Sequence, residues 1–128
     1  MSIKKDAQTA HANLLEKTDP EALERINHFA FDEVQADVDL PDRTKMLSTL
    51  AYLLGMQGVD EYKVMLPVAL DNGVSPVEAK EVLYQAVDYL GLGRVFPFFN
   101  ATNDVLRARG VEMPLPSQSI TTMDNRFE

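Results

Sequence analysis

The chain contains no cysteine, and that absence closes three routes together. It excludes a disulfide framework, a thiolate zinc site, and a peroxidatic or resolving thiol. Histidine is nearly as scarce, with His11 and His28 the only imidazoles. Neither has a second histidine or a convincing metal-spaced carboxylate partner, so no metal site and no cofactor is expected. Positive charge is also short: 12 Lys and Arg face 20 Asp and Glu, a net charge of −8. Apart from Lys4-Lys5 the basic residues stand singly, whereas phosphate neutralisation needs them clustered. Anionic lipid would repel such a surface. No apolar run approaches the roughly 20 residues of a membrane span, and the N-terminus has no apolar signal-peptide core. The expectation is a cytoplasmic chain that binds neither nucleic acid nor membrane.

What is present is helix. The 128 residues suit one domain with a core of its own. The clearest stretch is Ser75–Gly91. Ser75 can cap, Pro76 suits the first helical position, and Glu78 can close a capping box. Ala79, Val82, Leu83, Ala86, Val87 and Leu90 then fall on one helical stripe. Gly91 offers the C-cap without a Cβ.

Other segments follow the same grammar. Residues 2–17 read as a helix with a weak apolar face, ending before Thr18-Asp19-Pro20. A second helix from Pro20 to about Val34 carries Ala22, Leu23, Ile26, Phe29, Ala30 and Val34 as its expected buried stripe. A third begins near Pro41, with Met46, Leu47, Leu50, Ala51 and Leu54 inward. The fourth, about Asp60–Asn72, is apolar throughout Val64–Leu70 and holds Pro67, which predicts burial on most sides and a kink. The last covers about Val95–Arg109. Nothing alternates as a strand would, so the fold class is all-α with about six helices. Residues 1–110 read as the single domain, and residues 111–128 as an extended C-terminal arm or linker.

Three segments carry a resemblance. Pro41-Asp42-Arg43-Thr44-Lys45-Met46-Leu47 opens one helix. Asp60-Glu61-Tyr62-Lys63-Val64-Met65-Leu66 leads into Ala69-Leu70-Asp71-Asn72-Gly73-Val74-Ser75. Glu81-Val82-Leu83-Tyr84-Gln85-Ala86-Val87-Asp88-Tyr89-Leu90-Gly91 is the third. In order and spacing, over about residues 40–110, they resemble the carboxymuconolactone decarboxylase family, which shares its fold with alkylhydroperoxidase D. The resemblance implies an all-helical bundle around a paired-helix unit. It implies homo-oligomers, trimers or hexamers, with pockets near subunit interfaces. It also implies decarboxylation of a carboxylated muconolactone in aromatic catabolism, or thiol peroxidase activity. The tail from Gly110 resembles the linker between the halves of tandem members, so the chain reads as an N-terminal half or its descendant.

The departures concern chemistry. Met65 stands where decarboxylase-like members place a histidine one turn after the glutamate, and Met46 where a carboxylate would be. Without cysteine the dithiol peroxidase reading is excluded. A thioether cannot shuttle a proton.

Glu61, matching the family glutamate, is the candidate general base. Read without the family, it is an ordinary first-turn acid favoured by the helix dipole. Arg94 and Tyr89, flanking the Gly91–Gly93 corner, are candidates for holding a substrate carboxylate, or else a helix-terminal cation and a packed tyrosine. His28 is either a boundary residue or a pocket-facing proton shuttle. Two functions remain open: a decarboxylase- or lactone-processing-type enzyme acting on a small carboxylated molecule, and a catalytically silent oligomerisation or binding module.

Overall fold

The structure is a computed structural model that describes residues 2–117. Helix α1 spans Ile3–Leu15 and α2 spans Pro20–Ile26. The latter runs straight into a π-helical segment, Asn27–Gln35. Helices α3 (Asp42–Gly55), α4 (Val59–Asp71), α5 (Pro76–Leu90) and α6 (Leu92–Ala108) complete the bundle. Among the described residues there is no strand, and no helix is long and apolar enough to cross a membrane. The fold is all-α, as the sequence predicts. The arm expected at residues 111–128 is described only through Ser117, and residues 118–128 lie outside the described residues.

Helix α4 is the element the others pack around, touching α1, α3 and α6, while α5 closes against α3 and α6. The all-apolar run explains this position. Every residue from Val64 to Leu70 is buried or half-buried, with Leu66 and Ala69 fully so. The helix continues through Pro67 as one element. Its end is a left-handed turn, with Gly73 at φ 106° and Arg43 Cβ 3.3 Å from where a Cβ would stand. Any side chain there would meet both the backbone penalty and that neighbour.

The capping box of α5 forms as its sequence dictates. Ser75 Oγ accepts from the Glu78 N–H at 3.1 Å, and Glu78 Oε1 accepts from the Ser75 N–H at 3.0 Å. Gly91, at φ 85° and ψ 149°, ends α5 and starts α6 at once. That backbone is one that glycine tolerates best, and it lets α6 begin at Leu92, three residues before the expected Val95.

The second helical segment departs most from its predicted stripe. Leu23 and Phe31 are buried, whereas Ile26, Phe29 and Val34 are exposed. The stripe assumed a 3.6-residue period throughout, but the π segment bonds i→i+5 and holds more residues per turn. Past Asn27 the inward face therefore rotates, taking Phe31 to the core and leaving Phe29 and Val34 outward. In α3 the inward face also lies further round than predicted, with Thr49 and Leu53 buried and Ala51 exposed.

Candidate functional site

Glu61 sits in the first turn of α4, where the unsatisfied N–H groups of the helix favour a carboxylate. Across from it, α1 delivers His11. The imidazole Nε2 lies 2.8 Å from both Glu61 Oε1 and Oε2, and Nδ1 lies 2.7 Å from the carbonyl oxygen of Ala7. The histidine side chain is 7% exposed and the glutamate 44%. Phe31, from the π segment, lies against the imidazole with ring centroids 5.2 Å apart.

The protonation state follows from the partners. A backbone carbonyl can only accept, so Nδ1 carries a hydrogen and donates to Ala7. Nε2 then faces two carboxylate oxygens. That contact needs one further proton, which the two groups share in their hydrogen bond, leaving the pair neutral as a unit. The carboxylate beside it, above all, raises the His11 pKa from its ordinary 6.5, and the Ala7 carbonyl adds to the rise while burial opposes it. The couple therefore keeps its proton to higher pH than an isolated histidine would.

Helix α1 is held so that this contact is fixed. Ile3, Ala7 and His11 follow one another at i+4 along its buried line. Ser2 caps it by accepting from the Lys5 N–H. Asn72 Nδ2 donates to Asp6 at 2.9 Å, and Lys4 and Gln8 both reach Asp32. Thus α4 and the π segment both grip the helix that carries the imidazole.

Glu61 opens into a cleft of about 260 Å³ walled by the π segment, α3 and α4. Phe29, Phe31, Val34, Thr49, Tyr52 and Met65 line it together with Glu61. The Thr49 hydroxyl donates to the Lys45 carbonyl at 2.8 Å. Lys45 Nζ lies 3.4 Å from the carbonyl of Gln35, itself a wall residue, which brings one ammonium to the edge of the cleft. Met65, at the position where a histidine is implied, forms part of the wall. His11 brings an imidazole to the same glutamate from another helix.

Of the four candidate residues, only Glu61 lines this cleft. Tyr89 is 90% exposed and borders a separate groove between α3 and α5. Arg94 is exposed in the first turn of α6, and His28 is exposed on the π segment, beside Asp32. The fold does not gather these three around Glu61. His11 is the residue that sequence reasoning missed, being 50 positions from its partner. One signal could have found it: it extends the Ile3–Ala7 line by another i+4 step on an otherwise polar helix.

The linkage of His11 has a measurable consequence. A raised folded-state pKa means stability that is complete below about pH 6.5 and disappears as pH climbs through the folded value. Unfolding by urea should show wild type exceeding His11→Leu by about 1–2 kcal/mol near pH 6, with the gap narrowing toward pH 9. The half-exposed carboxylate holds the figure down. A gap that stays constant over this range would mean that the imidazole carries no extra proton.

The sequence matches the model of the carboxymuconolactone decarboxylase family over residues 20–104. It is also 31% identical over 86 residues to a 4-carboxymuconolactone decarboxylase from Acinetobacter baylyi, which covers 67% of this chain and 64% of that protein. The alignment thus spans a little under two thirds of the relative's length. Helix α1, and His11 with it, precedes the span of the family match. That span runs from the first residue of α2 to well into α6, through the whole wall of the Glu61 cleft, and on this footing the chain belongs to the carboxymuconolactone decarboxylase family.

Proposed function

We propose that the protein is a decarboxylase- or lactone-processing-type enzyme acting on a small carboxylated molecule in the Glu61 cleft. The observation that carries this reading is the Glu61–His11 couple, with its one shared proton. In decarboxylation the bond from the ring carbon to the carboxylate breaks, carbon dioxide leaves, and the electron pair moves into the conjugated lactone. A proton must then reach carbon. Glu61, at the cleft surface, delivers the proton it shares with His11, and water returns one to the couple after the product leaves. Neutrality of the couple also matters, because a lone carboxylate would repel an acidic substrate where this pair does not. Lys45, bonded to the wall residue Gln35, supplies a cation for the substrate carboxylate. The test is release of carbon dioxide from 4-carboxymuconolactone by the purified chain, with Glu61→Gln alongside; equal rates in both would retire the carboxylate as the proton donor.

A second reading, a silent binding or assembly module, draws on the cleft wall. No Lys or Arg is among the residues that line it, and Met65 fills the position where the family resemblance implies a histidine. Absence of turnover with wild-type folding would favour it.

The same proposal includes a homo-oligomer, a trimer or hexamer. Phe29 and Tyr52, 62% and 59% exposed, line the cleft with Val34 and leave apolar side chains open to contact. Such patches mark contact faces. Light scattering on the purified chain at micromolar concentration should give a multiple of 14.3 kDa; a monomeric mass would overturn this part.

A further inference from the structure

A second cavity, of about 270 Å³, lies where residues 115–117 return to α5, lined by Val77, Lys80, Glu81, Tyr84, Leu115 and Pro116 along with Ser117. We propose that it is a binding site, separate from the Glu61 cleft, for a small aromatic monocarboxylate held by Lys80. The ammonium is the centre of the site. Lys80 is half-buried, and among the described residues no carboxylate pairs with it, unlike Lys4, Lys63, Arg43 and Arg109. Its one hydrogen-bond acceptor is the neutral amide of Asn103, at 2.5 Å. The ring of Phe99 lies 5.8 Å from Nζ on another side. An ammonium has three N–H donors, so capacity remains for an anion in the cavity.

The rest of the surroundings select the ligand. Burial first, and the positive charge of Arg107 second, lower the Lys80 pKa. An incoming carboxylate offsets the repulsion from Arg107. Tyr84 lines the cavity with Val77, Leu115 and Pro116, and Phe99 backs its ring from outside the lining, with centroids 5.9 Å apart and planes 32° from parallel. Rings of this kind favour an aromatic body by offset or tilted packing. The volume accommodates one ring and its carboxylate, below the usual span of drug-sized pockets. The Glu81 carboxylate at the same cavity disfavours a second negative charge on the ligand.

Benzoate is the probe, titrated into the isotope-labelled full chain and followed by amide chemical shifts. The expected result is saturable shifts at Val77, Tyr84 and Leu115. Benzyl alcohol, which keeps the ring and lacks the charge, should bind about tenfold more weakly, and Lys80→Gln should lose a similar factor for benzoate. Equal affinity for the two probes would overturn the proposal without any variant. So would shifts confined to Thr49, Tyr52 and Glu61, absence of saturation, or unchanged benzoate affinity in a folded Lys80→Gln. Because the site shares no residue with the Glu61 cleft, its failure would leave the decarboxylase reading standing, and the reverse also holds.

Discussion

Glu61→Gln is expected to fold as the wild type does and to lower turnover of 4-carboxymuconolactone by about 100- to 10,000-fold, the usual worth of a positioned acid–base group. The substitution keeps shape and a hydrogen-bond partner for His11 but removes the group that exchanges a proton with the cleft. Folding should survive because the carboxylate is 44% exposed and belongs to a first turn, not to the packed face of α4. The pH profile adds an independent readout. Since the couple holds its proton only while the pH stays below the raised His11 pKa, wild-type turnover should decline as pH rises through that value. A variant with full activity, or a wild-type rate that climbs steadily with pH, would remove the couple from the mechanism.

Phe98→Ala should cost about 3–5 kcal/mol of stability, a large share of the roughly 5–15 kcal/mol that a domain possesses. Phe98 is 1% exposed and meets Tyr62 edge to face, with centroids 5.1 Å apart and planes at 85°. Truncation leaves a void between α4 and α6 that the bundle can fill only by moving α6. Tyr62 is itself fully buried, and its hydroxyl lies 2.7 Å from that of Thr102. Burial pushes its pKa up to about 12, the Thr102 contact opposing, so the phenol stays protonated and serves the core, not proton transfer. Tyr62→Phe should lose about 1–2 kcal/mol by leaving the Thr102 hydroxyl without its partner, with part recovered in the double variant Tyr62→Phe/Thr102→Val. Urea denaturation reads all three. A Phe98→Ala loss under 1 kcal/mol would mean that the α4–α6 contact is not part of the stabilising core.

The contrast between α5 and the π segment shows where sequence reasoning holds. In α5 every signal is local: the cap, the proline after it, the glutamate three residues on and the closing glycine act within a turn or two, and the element forms as read. In Asn27–Gln35 nothing local announces a wider turn. The 3.6-residue stripe fails there because packing of Phe31 against His11 and the core outweighs the regular period.

Composition and short-range pattern by themselves determined that this chain is all-helical, that α4 is the buried axis of its bundle, and that thiol chemistry is closed to it. Helix caps and apolar stripes are encoded within a few residues, and a missing element needs no partner to be missing. Only the tertiary structure decided that Glu61 meets His11, and that Tyr89, Arg94 and His28 stand elsewhere. A proton-sharing contact between residues 50 apart depends on how α1 docks across α4 and the π segment, and no spacing rule along the chain carries that geometry.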